Sequence, residues 1–183
     1  MCWDIMVNKF RNGIFSLRTR RLGTVAEIMI KKMYGFSEPT SKYHDMKDNN
    51  TGERIEVKFS TASKKNTIKI RENNVVNQCL EANELSNRVI ASSEVTSEKF
   101  DCNIQQIKPA EFDILFYGLF FYDCIQIYKI SSDKVRSIKR WSDKQHKNNS
   151  GEGQFHITND TYAHHQEYFI KQLSYSELYD ILK

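Results

Sequence analysis

Apolar residues are most concentrated in the second half of the chain, where mixed aliphatic and aromatic side chains follow one another almost without interruption. Such a composition is typical of strands that are buried on both faces of a sheet. Gly118 interrupts this stretch, which therefore predicts two paired core strands, Phe112–Tyr117 and Leu119–Ile130. Shorter apolar runs predict two more strands, at Arg88–Ala91 and Cys102–Ile107.

Another part of the chain has apolar positions at spacings of three and four, which indicates an amphipathic helix over Leu22–Gly35. Gly35 is a natural stop for this helix. Its predicted buried stripe consists of Val25, Ile28, Met29, Lys32 and Met33. Glu27 lies at the edge of that stripe.

Two further helices are predicted. Asn74–Leu85 has helical spacing, and Ser174 with Glu177 three residues later is a capping box that opens a final helix ending at Leu182. Together these elements predict a mixed α/β (α+β) fold, in which a central mixed β-sheet is flanked by helices. The 183 residues suit one domain.

A β-hairpin is the most informative local prediction. Asn49-Asn-Thr-Gly52 provides turn residues that tolerate positive φ, between one strand that contains Asp45 and another that contains Glu56 and Lys58. With the turn over Asn50 and Thr51, Asp45 lies directly opposite Glu56. If the turn is displaced by one residue, Asp48 shares the face of Glu56 instead.

The side chains on this face suggest a metal site. Glu56 and Lys58 point to the same side because strand side chains alternate with period two. Carboxylates that are directly opposed, with Cβ atoms about 5 Å apart, repel each other unless a cation lies between them. Oxygen ligands of this kind suit Mg²⁺, with Asp45 and Glu56 as the metal ligands. Lys58 would then lie beside a metal-bound phosphate, where it could stabilise charge or help to deprotonate water.

These residues resemble the PD-(D/E)XK nuclease superfamily, in which a Glu-bearing helix precedes a hairpin that holds Asp on one strand and (Asp or Glu)-x-Lys on the next. The resemblance covers residues 20–62, and His44 stands where the family name has Pro. It implies a restriction-endonuclease-like core and a catalytic role for Glu27, Asp45, Glu56 and Lys58. Without an attached helicase or methylase domain, the chain looks most like a type II restriction endonuclease.

Such an enzyme would be an Mg²⁺-dependent endonuclease that cuts double-stranded DNA, and two-fold DNA predicts a homodimer. Two other functions stay open at this stage. One is a Holliday-junction or repair endonuclease of the same fold, since the motif does not separate these reactions. The other is a nucleic-acid-binding module without catalysis, for which Asp45 and Glu56 would lie on opposite faces.

Charge is distributed unevenly along the chain. Residues 1–75 contain 15 Lys or Arg and 8 Asp or Glu, whereas residues 76–183 contain 12 and 15, so the half that holds the hairpin is the basic one. A positive field attracts a polyanion, which fits a DNA substrate. The candidate phosphate contacts form two clusters, one before the predicted helix and one after the hairpin: Arg18, Arg20 and Arg21, then Lys64 and Lys65.

Residues 139–158 form a polar stretch that we interpret as a candidate DNA-recognition loop. Lys, Gln and Asn side chains read base edges in the major groove. The candidate contacts are Lys144, Gln145, His146 and Gln154.

The remaining features narrow the class of protein. The four cysteines are scattered without a C-x-x-C pair, which indicates a reducing, cytoplasmic environment and gives no zinc pattern. No apolar run approaches the length of a membrane span, so no membrane partner is expected.

Overall fold

The computed structural model describes residues 3–65, 68–80, 88–144 and 150–183. These residues contain five α-helices and nine β-strands. The helices are α1 (Trp3–Phe15), α2 (Thr19–Tyr34), α3 (Val75–Leu80), α4 (Asn159–His165) and α5 (Tyr175–Leu182). The strands are β1 (Met46–Lys47), β2 (Arg54–Thr61), β3 (Ser63–Lys64), β4 (Phe100–Ile107), β5 (Ile114–Phe120), β6 (Cys124–Ser131), β7 (Ser142–Lys144), β8 (Ser150–Thr158) and β9 (Phe169–Ser174). The mixed α/β class is confirmed.

The first sheet has five strands in the order β1-β2-β5-β6-β9. Only β2 and β5 are parallel, and every other neighbouring pair is antiparallel. Alternate side chains of β2, Ile55, Val57 and Phe59, are buried against a cluster that includes Met29 of α2 and Leu178 of α5. Helices therefore cover one face of this mixed sheet.

The other face is covered by a second sheet, in the order β3-β4-β8-β7. Leu115 and Tyr117 of β5 share a buried cluster with Ile104, Phe155 and Ile157 of the second sheet. The sequence predicts helices around a single sheet, so this second sheet is new. The described residues contain no helix that is long and apolar enough to cross a membrane.

The helix predicted over residues 22–35 is confirmed as α2, and Gly35 ends it in the left-handed region with φ of 69°. The predicted stripe is wrong for two of its five members, since Ile28 is 42 % exposed and Lys32 is exposed. The buried positions are Leu22, Ala26, Met29 and Ile30. Because Ala26 is part of the buried face, this face is rotated around the helix axis relative to the predicted stripe. Glu27, next to Ala26 in the chain, is half-buried.

Two of the smaller elements differ from prediction. Arg88–Ala91 forms an isolated bridge between Val89 and Ser63 rather than a strand. The helix expected over Asn74–Leu85 is observed as Val75–Leu80, and residues 81–87 lie outside the described part of the chain. The final helix is confirmed with its capping box, in which the Ser174 N–H donates to Glu177 Oε2 at 2.7 Å.

The break predicted at Gly118 is wrong. Gly118 lies in the middle of β5. The reversal between β5 and β6 comes at residues 121–123. Gly118 is needed there for close packing, because a Cβ atom would overlap the ring of Phe59 and the carbonyl oxygen of Gln126. One contact is backbone, so the strand cannot adapt by moving a side chain alone.

We expect Gly118→Ala to lower the free energy of unfolding by about 1–3 kcal/mol, the usual cost of overpacking a core. Urea denaturation measures it. Gly13→Ala is the matched control, since nothing lies within 4 Å of a Cβ at this helical position. The control should be neutral or slightly stabilising because alanine favours the helix. Equal effects of the two substitutions would contradict the packing argument.

Candidate active site

The hairpin register decides which carboxylates face each other. Met46 pairs with Ile55 and Lys47 with Arg54 across β1 and β2, so the next pair along the chain is Asp45 and Glu56. The observed register is therefore the predicted one.

Asp48 has a different position, in the turn. Its N–H donates to the carbonyl of Glu53 at 2.9 Å, and its carboxylate accepts the N–H of Asn50 at 2.8 Å. Asp48 thus caps the turn and lies three residues beyond Asp45. The alternative register is wrong, and Asp45 is the residue that shares a face with Glu56.

Asp45 directly precedes β1 and is held by two hydrogen bonds to β2. Its N–H donates to the carbonyl of Ile55 at 3.0 Å, and its Oδ2 accepts the N–H of Val57 at 2.8 Å. The Asp45 carboxylate thus accepts the hydrogen bond from a β2 main-chain N–H that a main-chain carbonyl would accept in a regular β-sheet. The Asp45 carboxylate is consequently fixed relative to β2.

Lys58 lies between the two carboxylates. Its Nζ contacts Glu56 Oε1 and lies 4.0 Å from Asp45 Oδ2. Only 24 % of the Lys58 side chain and 11 % of the Glu56 side chain are exposed. The three residues form one half-buried charged cluster at the edge of the first sheet.

Burial is the main influence on the protonation of this cluster. It raises the pKa of Glu56 to about 7, and the charge of Asp45 adds to the increase while Lys58 opposes it. Burial alone would lower the pKa of Lys58, but the carboxylates of Glu56 and Asp45 outweigh it and the pKa of Lys58 is raised. Lys58 is therefore a stable cation, and Glu56 is a carboxylate that ionises reluctantly.

Glu27 of α2 is close enough to this cluster for its protonation to be affected by the charges there. Burial raises the pKa of Glu27, the charge of Asp45 raises it further, and Lys58 lowers it. The charges of these side chains thus act on one another, although Glu27 and Asp45 belong to different elements. Asp45, Glu56 and Lys58 thus lie together, and Glu27 is coupled to Asp45 and Lys58 through charge.

The structure adds residues that the sequence does not reveal. The charge of Glu111, in the loop before β5, also raises the pKa of Glu56. Beside it, Arg54 donates to both carboxylate oxygens of Asp113, at 2.7 and 3.0 Å, which fastens β2 to the start of β5. No local pattern identifies Glu111, because only the parallel pairing of β2 with β5 brings it near.

The donor set fits one Mg²⁺ ion held by two carboxylates. No three His, Cys, Asp or Glu side chains in the described ranges are arranged to hold a metal ion. Mg²⁺ commonly takes only one or two carboxylates and fills its other positions with water and substrate phosphate. Asp45 and Glu56 supply that number, and the cost of ionising buried Glu56 is a cost that a cation would offset.

The predicted DNA contacts occupy several places. Arg18 is the N-cap of α2, Arg20 and Arg21 lie in its first turn, and all three are exposed. Lys64 pairs with Glu98 at 3.6 Å, whereas Lys65 directly follows β3. In the sequence, these cations lie on both sides of the hairpin.

The prediction that the polar stretch 139–158 is a single loop is wrong. It contains β7 and the nine-residue strand β8, along which buried Phe155 and Ile157 alternate with partly exposed residues. That alternation is a strand pattern, masked by the polar composition. Lys144 ends β7, and Gln154 lies in β8 and donates to the Lys144 carbonyl at 3.2 Å. Gln145 and His146 lie outside the described residues.

Comparison of the chain with protein-family models, with curated proteins and with solved structures gives no match.

Proposed function

We propose that the protein is an Mg²⁺-dependent endonuclease that hydrolyses phosphodiester bonds of double-stranded DNA, acting as a homodimeric type II restriction enzyme. The observation that carries the proposal is the convergence of Asp45, Glu56 and Lys58 on one face of the hairpin, with Lys58 in contact with Glu56. A non-catalytic module would have the carboxylates on opposite faces or Lys58 in an unrelated ion pair. The nearness of Lys58 to both carboxylates supports the catalytic alternative.

Asp45 and Glu56 would hold the metal ion. When bound, Mg²⁺ supplies a Lewis acid that polarises the scissile phosphate and lowers the pKa of a bound water. The Val57 N–H keeps the Asp45 carboxylate in position for this role.

Lys58 acts as a cation toward the substrate. Because the neighbouring carboxylates raise its pKa, its ammonium donates hydrogen bonds to phosphate oxygens and stabilises the negative charge that develops during hydrolysis. Of the two roles that the sequence allows, this protonation state favours charge stabilisation over proton abstraction. Glu27 orients the attacking water by accepting a hydrogen bond from it.

Arg20 is the strongest candidate for a phosphate contact close to the cleaved bond. Seven residues are nearly two helical turns, so Arg20 lies on the same face of α2 as Glu27, about 10 Å along the axis. Successive phosphates of one DNA strand rise by about 3.4 Å. A phosphate roughly three nucleotides from the cleaved bond would therefore meet this guanidinium.

We expect Arg20→Gln to weaken binding of a DNA duplex about three- to tenfold at 0.1 M salt and to reduce the salt dependence by about one phosphate contact. Arg21→Gln is the matched comparison, since Arg21 points about 120° away from Glu27 around the helix and should have the smaller effect. Fluorescence anisotropy in Ca²⁺ measures both. A larger effect of Arg21→Gln would contradict this placement of the DNA.

The test of the proposed activity is incubation with phage DNA and Mg²⁺, followed by mapping of the cut ends. Discrete fragments with one common end sequence would support a restriction enzyme and reveal its recognition site. Cleavage of four-way junctions alone would identify a junction-resolving enzyme instead. DNA binding without any cleavage would identify a non-catalytic module.

A further inference from the structure

A basic groove lies at the end of the second sheet, beyond the catalytic hairpin. Its volume is about 330 Å³, and its walls come from the residue after β3, the loop before β4 and the start of α4. Three cations line it, together with hydroxyl groups and a single carboxylate. The residues that matter below are Lys65, Lys99, Arg140, Thr96, Ser97 and Asp160.

The residues that carry two of the cations are directly opposed along the backbone. Lys64 pairs with Phe100 across β3 and β4, and the Lys65 N–H donates to the Lys99 carbonyl at 2.8 Å, so Lys65 is opposite Lys99. Like charges at directly opposed positions destabilise a sheet. Among the described residues, neither ammonium has an acidic partner within 4.0 Å. An anion between the two lysines would remove this repulsion.

The third cation is held in place. Arg140 Nη2 lies 3.1 Å from Asp160 Oδ2, and the Arg140 backbone is in the left-handed region with φ of 64°. Lys139 Nζ donates to the Asp160 carbonyl at 3.3 Å. The ion pair orients the guanidinium but neutralises only one of the three positive charges.

The wall of the groove is tied down by one amide side chain. Asn159 Nδ2 donates to the carbonyls of Val95 and Glu98, and Asn159 Oδ1 accepts the N–H of Phe100 at 3.2 Å. These bonds fasten the loop that carries Thr96, Ser97 and Lys99 to the start of α4. The groove therefore keeps its shape without a ligand, which reduces the ordering cost of binding.

We propose that this groove binds a backbone phosphate of the DNA several nucleotides from the cleaved bond. Three cations with hydroxyl donors match the several acceptor oxygens of a phosphate better than the two of a carboxylate. Lys65 follows Lys58 by seven residues, a separation of at most about 25 Å. At about 3.4 Å per phosphate along one strand, the groove lies within roughly seven nucleotides of the catalytic lysine. This inference rests on the proposed function for the identity of the polyanion.

The test compares the unmodified protein with the double variant Lys65→Gln/Lys99→Gln, using a labelled 30-base-pair duplex without divalent metal. Fluorescence anisotropy is recorded from about 0.05 to 0.3 M salt. We expect the double variant to bind at least about tenfold more weakly at 0.1 M salt, and the slope of log K against log salt to become shallower by about one to two. Lys9→Gln/Lys183→Gln, which removes two exposed lysines on α1 and just after α5, is the charge-matched control and should behave like the unmodified protein.

Unchanged affinity and salt slope in the double variant would overturn the proposal. Inorganic phosphate is a second probe, titrated by NMR. If its binding depends on both lysines while DNA binding does not, the groove is a small-anion site and the proposal is wrong. Binding is measured without cleavage, so failure of the unmodified protein to cut DNA would refute the proposed function while leaving a lysine-dependent loss of affinity as support for the groove.

Discussion

Lys58→Ala is expected to reduce the rate of DNA cleavage about 10²- to 10³-fold, the usual effect of removing one group that stabilises charge in a transition state. The loss should fall on the chemical step, because Lys58 is only 24 % exposed and lies within the carboxylate pair rather than on a surface that grips DNA. Single-turnover cleavage in Mg²⁺ measures it. Binding of the same duplex in Ca²⁺ should change by no more than about threefold.

Two further variants separate chemistry from folding. Lys42→Ala removes an exposed lysine shortly before the hairpin and should leave cleavage unchanged. Lys58→Arg keeps the charge but not the compact ammonium, so it should restore only part of the rate. Lys58→Ala also leaves Glu56 without its cation, and thermal unfolding will show whether the variant is folded at the assay temperature. A folded Lys58→Ala protein that cuts DNA at the original rate would exclude the proposed role.

Local patterns were sufficient to predict the hairpin. Its register depends on turn residues and on period-two alternation within 15 residues, so Asp45, Glu56 and Lys58 are found from sequence alone. Glu111 is not, because its charge comes near Glu56 only through the parallel pairing of β2 with β5.

The errors in the predicted fold also have physical causes. Gly118 resembles a strand break in sequence, and only the closeness of Phe59 and Gln126 shows that it serves packing. The strand β8 is masked by its polar outward residues, which hid the second sheet. Long-range packing decides both cases, and a single sequence carries little information about it.

The second large effect concerns the stability of the metal-free protein as a function of pH. Burial raises the pKa of Glu56 from 4.5 to about 7. The folded state therefore holds this proton more tightly than the unfolded state, and stability decreases as pH rises from about 4.5 to 7. At 1.36 kcal/mol per pKa unit, the total decrease is about 3 kcal/mol.

A second buried group has the opposite effect in an overlapping range. Burial lowers the pKa of His165, which accepts or donates a hydrogen bond with Tyr117 at 3.0 Å, from 6.5 to about 3. The unfolded state binds this proton more tightly, so stability increases as pH rises from about 3 to 6.5. Between about pH 4.5 and 6.5 the slopes of Glu56 and His165 cancel, and the raised pKa of Glu27 leaves a smaller net decrease in stability with rising pH.

Glu56→Gln separates these two contributions. With the carboxylate gone, the variant should become more stable with rising pH up to about 6.5, at roughly 1.4 kcal/mol per pH unit, because the histidine contribution is no longer opposed. Relative to the unmodified protein it should gain about 3 kcal/mol between pH 4.5 and 8. Urea denaturation at several pH values measures this difference, from which any pH-independent cost of the substitution cancels.

Mg²⁺ connects this stability change to the candidate metal site. Ion binding requires an ionised Glu56, so 10 mM Mg²⁺ at pH 8 should stabilise the unmodified protein, by about 1.4 kcal/mol for a dissociation constant near 1 mM. The same addition should leave Glu56→Gln nearly unchanged. Parallel pH curves for the two proteins would mean that Glu56 ionises in its ordinary range, and equal responses to Mg²⁺ would remove Glu56 from the metal site. The two measurements thus test the buried carboxylate and the proposed metal ligand separately, without any assay of cleavage.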